Sequence, residues 1–329
     1  MYPRRTSAVG PMTLLVNLFS HAPSRRLVFF AVLAALLMAF DLSSVGQYLT
    51  TLLNLDVAPD TASVLAAFAI SAVITADVVF VSKLPMKVQV PIYWAQLLAL
   101  FLGFFYSFDL SFPFIIERLP ILLYKGLFYT LFVSFASIIC ASLLAFAGAL
   151  ARLSNSGPAY AASTFYVSFF RGTPLLLQVY LIYLGLPQLG ITLDAIPSGI
   201  LALSLSYGAY MTEIFRGGIQ AVPRQQSEAA AALGLQPWQV MWKVVLPQAI
   251  RIIIPPTGNN FISMLKDSSL VSAMGIMELM YLARTLGRSE FKHFEMLISA
   301  ALIYWAVSFV FEMIQAQLEK RYSAPQKVG

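Results

Sequence analysis

Polar and ionisable residues sit inside long apolar runs of this chain, and their spacing groups them. Ser206, Tyr210 and Glu213 follow an i, i+4, i+7 pattern, so on a helix they share one face. Asn260, Ser263 and Asp267 follow i, i+3, i+7. Arg171 and Gln178 are seven apart, with Thr173 between them. Groups of this kind are costly at membrane depth and mark protein interiors or water-filled paths. Three such stripes suit a zwitterionic solute: Glu213 or Asp267 would meet an ammonium group, and Arg171 a carboxylate. The competing reading is structural. Glu213 and Arg216 fall near the end of a run, where solvent reaches them, and Lys266 and Asp267 suit helix packing or subunit contact.

The remaining reactive side chains do not form a catalytic or metal constellation. Cys140 is the one cysteine and stands in an apolar run, which reads as a buried, inert thiol. His21 and His293 are far apart, in neither a metal-binding nor a catalytic spacing. No nucleophile and base stand in a working arrangement. The sequence contains no G-x-x-x-x-G-K-[ST] loop, so ATP binding by that route is excluded. The expectation is no enzyme, no cofactor and no metal on this chain.

The elements that must position these residues are membrane helices. Of the 329 residues, 59% are hydrophobic and 11% charged, and the mean hydropathy is +0.78. A soluble domain carries roughly 25% charged residues. A soluble chain this apolar lacks the polar groups to cover its surface, and a bilayer removes that need. The net charge of +6 does not point to nucleic acid, because the basic residues cap apolar runs rather than forming a patch. A span needs about 20 mostly apolar residues. Eight candidates follow, at approximately Leu27–Gly46, Thr61–Ser82, Val90–Phe108, Leu119–Leu150, Tyr160–Leu186, Pro197–Phe215, Ile252–Leu282 and Phe294–Gln315. The fourth and seventh are too long to lie wholly in lipid. The fold class is thus all-α integral membrane, with about eight transmembrane helices.

Arg25 and Arg26 before the run Leu27–Phe40 resemble a signal peptide, but no clear cleavage site follows, so an uncleaved first helix is expected. With the N-terminus inside, 14 loop Lys and Arg residues fall inside and 4 outside (Arg118, Arg284, Arg288 and Lys292). Both termini are therefore expected in the cytoplasm. The loop with Arg284, Arg288 and Lys292 runs against that rule.

The longest stretch without a span is the inside loop, residues 216–251, and long ordered loops are commonly functional. Glu228-Ala229-Ala230-Ala231-Ala232 is strongly helix-forming, with Ser227 as its expected N-cap. Gly234 is suited to end the helix in a left-handed conformation. A second short helix is expected over Pro237–Val245, started by Pro237 and stopped by Pro247. Four alanines make the first helix slim enough to enter a groove on another protein.

Here the residues resemble a known family. Glu228-Ala229-Ala230, Gly234, Val244 and Leu246-Pro247 match the spacing of the EAA motif of bacterial ABC-importer permeases, with Val for Ile as the one departure. Phe170-Arg171-Gly172-Thr173-Pro174, the stretch from Ala209 to Ile219 and the stretch from Phe261 to Val271 are similar to the branch for polar and charged amino acids. The resemblance covers about Leu119 to Tyr322. It implies a five-helix permease core over 119–322, preceded by three additional helices in 27–110, a cytoplasmic segment 1–26 and a tail 323–329. It also implies a role for Glu228, Ala229, Ala230, Gly234, Leu246 and Pro247 in docking an ATPase subunit. The implied partners are an ABC ATPase dimer that consumes the ATP, a second permease subunit, a solute-binding protein, an amino acid and the bilayer of a bacterial inner membrane. The alternative from another class is a secondary transporter driven by an ion gradient, with Glu213 and Asp267 as ion or proton sites; it requires an inverted repeat, and the halves show no clear self-similarity.

Overall fold

The computed structural model describes residues 23–40, 42–53, 57–106, 108 and 110–322. Most of the segment 1–26, the tail 323–329 and the charges Arg4, Arg5, Asp41, Asp56 and Lys327 lie outside the described residues. Residues 1–109 and 110–329 form two compact units.

The first unit holds α1 (Pro23–Leu37), α2 (Ser43–Leu52), α3 (Pro59–Val81) and α4 (Met86–Tyr106). The run expected as one span over Leu27–Gly46 is instead two shorter helices. At about 1.5 Å per residue, the 15-residue α1 is shorter than the roughly 30 Å hydrocarbon layer. Helices α1 and α2 pack on α3, where Ala62, Ala66 and Ala67 are buried. Gly46 permits the closest approach: a Cβ there would overlap the Ala62 carbonyl. Asp77 of α3 accepts a 2.8 Å hydrogen bond from Gln96 of α4, a polar link of the kind that joins helices in lipid.

The second unit begins with α5 (Phe112–Leu153), 42 residues long with a π turn at Leu122–Gly126 just after Pro120. Its length of about 63 Å exceeds any bilayer core, so part of it lies beyond the apolar layer. Then come α6 (Gly157–Gly172) and α7 (Leu175–Leu189), bent by 108° from each other, α8 (Ala195–Gln220) and α9 (Arg224–Ala232). Next are α10 (Pro237–Met274) and α11 (Leu279–Ser289), bent by 51°, and α12 (His293–Tyr322). Pro255 and Pro256 sit inside α10 without breaking it.

Among the described residues, α3, α4, α5 and α12 are long and apolar enough to cross a membrane, or six spans if each bent pair counts as one. Helix α8 has the length, at 26 residues, but is richer in small and polar residues. The reason is its position. Gly199, Ala202, Ser204, Gly208 and Thr212 are buried, and the face of α5 carrying Ala141, Ala145 and Ala149 packs against it. Small residues every fourth position let two backbones approach closely. A Cβ on Gly208 would meet the Tyr166 hydroxyl, which donates a 2.7 Å hydrogen bond to the Leu205 carbonyl. Val133, Val179, Leu203, Tyr207, Met211 and Met264 complete this central core. Cys140 corrects the expectation of a buried thiol: it is exposed on the outer side of α5, pointing away from that core.

Candidate coupling loop and polar stripe

The loop between α8 and α10 has the expected order of short helix, glycine turn and second helix, with two corrections. Helix α9 starts at Arg224 after Pro223, so Ser227 lies within it and is not its N-cap. Glu228 is consequently in the middle of the helix, 3.5 Å from Arg224 one turn back. Both side chains are well exposed, so the pair adds little stability. The second correction is at Pro247. It does not stop the helix from Pro237; the chain passes through a π turn at Met241–Val245 and continues as α10. Pro247 falls in the first turn after that π segment, where a missing N–H is tolerated.

Gly234 adopts φ +84°. Its N–H donates to the Ala231 carbonyl at 2.9 Å, and the Leu235 N–H donates to the Ala230 carbonyl at 3.2 Å. These are the two bonds of a Schellman motif. Gln236 and Gln239 then form a reciprocal capping box at the start of α10.

One side of the loop is anchored and the other is bare. Val222, Val245, Ala249 and Ile253 pack with Ile219, and Gly218 lies directly against Ile253. Ala230 is the buried alanine of α9, while Ala229, Ala231 and Ala232 are exposed. Leu233 is 84% exposed, Trp238 62% and Trp242 56%. Leu233 and Trp238, on either side of the glycine turn, are large apolar side chains left uncovered, while the Trp242 ring lies 5.9 Å from that of Phe146 in α5.

The polar stripes are only partly brought together. Asp267 of α10 accepts a 2.7 Å hydrogen bond from Tyr207 of α8. Ser206, the residue expected on the α8 stripe, is buried, and Tyr210 is exposed. The Arg171 guanidinium stands 5.3 Å from the centre of the Tyr210 ring, a cation–π contact. Asn260 and Ser263 turn back on their own helix, donating to the Pro256 carbonyl at 2.9 Å and the Asn259 carbonyl at 3.1 Å.

Two residues expected on the path do other work. The Gln178 amide nitrogen donates to the Phe170 carbonyl, the Thr173 carbonyl and the Thr173 hydroxyl at 2.8, 3.1 and 2.9 Å. It thereby clasps the bend between α6 and α7, where Pro174 interrupts the backbone ladder, and Thr173 is part of the clasp. Glu213 is held by two guanidinium groups, Arg152 from the end of α5 and Arg216 one turn further along α8. Its carboxylate is thus engaged across the α5–α8 contact.

Arg152 and Tyr207 are the residues that the spacing argument passed over. Arg152, a cation at the end of an apolar run, lies on none of the three stripes. Tyr207 lies three residues before Tyr210, so helical spacing placed it near the stripe. A buried carboxylate was also passed over: Glu278, fully buried, caps α11 by accepting from the Met280 and Tyr281 N–H groups and from the Tyr304 hydroxyl. Among the described residues, no group of His, Cys, Asp and Glu is placed to hold a metal ion.

Comparison with known proteins agrees with this architecture. The family model described as binding-protein-dependent transport system inner membrane component matches residues 144–324, more than half of the chain. The L-cystine transport system permease protein TcyB of Bacillus subtilis (strain 168) is 40% identical over 197 residues, covering 60% of this chain and 84% of that protein. The arginine transport system permease protein ArtQ of the same organism is 36% identical over 214 residues, covering 65% and 97%. A crystal structure of an amino acid ABC transporter with histidines superposes with a TM-score of 0.61 at 36% identity, over 65% of this chain and 99% of the other. All three cover about two thirds of this chain or slightly less and most of the relative. The chain belongs to the family of binding-protein-dependent transport system inner membrane components, the ABC-type permease subunits.

Proposed function

We propose that this chain is the membrane-spanning subunit of an ATP-driven amino-acid importer and that the loop from Arg224 to Pro247 is its mechanical link to a separate ATPase. The observation that carries the proposal is the loop's asymmetry. Its two ends are locked together where Ile219 of α8 and Val222 pack on Val245, Ala249 and Ile253 of α10, while Leu233 and Trp238 stand exposed beside the alanine helix. A push on the exposed side is therefore transmitted to two core helices rather than absorbed by a flexible connector. Relatives named for transport of L-cystine and arginine support an amino acid as the cargo.

In this reading a solute-binding protein delivers the amino acid at the outer face of a bacterial inner membrane, with both termini of the permease in the cytoplasm. Two permease subunits form the path. Two ATPase subunits close on ATP and move the loops, and the helices pass between inward-open and outward-open states, each favoured by a different set of partners. The chain itself supplies no catalytic group; ATP is consumed by the partner. Glu228, Ala229, Ala230 and Gly234 present the docking helix, and Leu246 and Pro247 join it to α10. Arg171 with Tyr210, and Asp267 with Tyr207, are the groups best placed to meet solute. Glu213, engaged by Arg152 and Arg216, ties α5 to α8 close to the loop.

The test is purification of the tagged chain in mild detergent from its native cell, with mass spectrometry of what accompanies it. The expected result is a P-loop ATPase that is lost when Leu233 and Trp238 are replaced by Ser. A chain that stays folded but brings no ATPase, in several detergents, would overturn the reading.

A further inference from the structure

The outer-loop arginines that oppose the charge rule have a structural explanation. Arg284 and Arg288 belong to α11, where Tyr281, Arg284 and Arg288 are spaced i, i+3, i+7 and so share a face. The opposite face, with Leu279, Leu282 and Ala283, is buried against α5 and α12. The polar face lines a cavity of about 570 Å³, completed by Tyr180 of α7, Ser272 near the end of α10 and His293 at the start of α12. Two arginines and a histidine line it, and none of its lining residues is Asp or Glu.

The other two outer cations are already engaged. Arg118 pairs with Glu117 at 3.3 Å and Glu290 at 3.8 Å, and Lys292 donates to the Ser111 hydroxyl at 2.7 Å and stands over the Phe114 ring. Arg284 and Arg288 make no ion pair among the described residues. Glu278, the carboxylate that feels the Arg284 charge, is fully buried, is taken up by two backbone N–H groups and Tyr304, and does not line the cavity.

We infer that this cavity is a binding site for an anionic amino acid, one whose two carboxylates meet Arg284 and Arg288. The inference rests on the importer reading and names its substrate class. A guanidinium matches a carboxylate in a planar two-bond geometry, which a lysine does not reproduce. Two of them on one helix face, with no acidic neighbour in the lining, favour a dicarboxylate over a neutral or cationic amino acid. The Tyr180 and Tyr281 side chains provide aromatic faces for the ligand's ammonium group. The volume lies within the range of small-molecule sites.

The experiment is a direct binding measurement on the purified chain, with its co-purifying ATPase, in nanodiscs of neutral phosphatidylcholine and without any binding protein. Radiolabelled L-glutamate is the probe; L-glutamine and L-arginine are the competitors. The expected result is saturable L-glutamate binding that weakens with rising salt, with L-glutamine and L-arginine at least about tenfold weaker. Arg284→Gln and Arg288→Gln are each expected to weaken L-glutamate by about tenfold or more, the loss of one charged hydrogen-bond partner. Both residues are exposed, so the variants should melt with wild type; the competition and salt series need only the wild type in any case. Equal affinity for the three amino acids, or an unchanged affinity in the double variant, would overturn the site. An effect of the substitutions seen only with a docked binding protein would also overturn it, assigning the arginines to carboxylates of that protein. Co-purification of the ATPase is read in the same sample, so failure of the site and failure of the importer reading give different results.

Discussion

Gly234 offers a quantitative test of the loop. Its φ of +84° is a left-handed conformation, and a Cβ built there meets nothing within 4 Å. Replacement by Ala therefore introduces no steric clash with a neighbour, and the whole penalty is in the backbone, about 1–2 kcal/mol. Asn tolerates the same conformation and is expected to cost less. Pro is worse than Ala on two counts: its φ is locked near about −65°, and it removes the N–H that donates 2.9 Å to the Ala231 carbonyl. If the ATPase binds the turn as seen here, the Ala penalty appears as roughly 5- to 30-fold weaker association. Titrating purified ATPase onto the chain in nanodiscs, beside ATP-dependent uptake in proteoliposomes, should give the order Gly, Asn, Ala, Pro from best to worst. A Pro variant that binds and transports as well as wild type would refute the argument. So would an Asn variant as poor as Ala, because the defect would then come from the side chain and not the backbone.

Glu213→Gln leaves Arg152 and Arg216 facing a neutral amide across the α5–α8 contact. With the groups 17–32% exposed, the expected destabilisation is about 1–2 kcal/mol after solvent screening, read as a lower melting temperature in detergent; unchanged stability with abolished uptake would instead favour solute contact. Gly258→Ala would push a Cβ into the Gln315 amide, which now donates 2.6 Å to the Pro255 carbonyl. The expected cost is about 1–2 kcal/mol, and Gly258→Ala should cost little more once Gln315 is already Ala. Additive melting shifts in that cycle would show that the two positions do not interact.

The loop was legible because its determinants are short-range. The alanine run, Gly234 and Pro237 act within a few residues of themselves, so their spacing carries most of the geometry. The boundary errors, at Ser227 and at Pro247, came from the same locality: nothing nearby says that Arg224 already starts the helix, or that α10 continues through Pro247. Apolar run lengths likewise located most of the helices. They failed at Leu27–Gly46, where two short helices replace one span; the run Pro197–Phe215 did locate α8, although that helix is less apolar because protein surrounds it.

The amino-acid sequence by itself determined that this is a helical membrane protein of the permease family, with an alanine helix and a glycine turn on one loop. Composition, run length and motif spacing are properties of the chain before it folds, and they suffice for that. Which polar residues meet was decided only by the tertiary structure. Helical spacing placed Glu213 on a face, but Arg152, 61 residues away, claimed it. The partner of Asp267 is Tyr207, 60 residues away on another helix, rather than a neighbour on its own stripe. The bend at Pro174 turned Gln178 from a path residue into a clasp. The amphipathic α11 gathered Arg284 and Arg288 into one cavity with Tyr180 and His293. A stripe states which way a side chain points; only the packing of helices states what it points at.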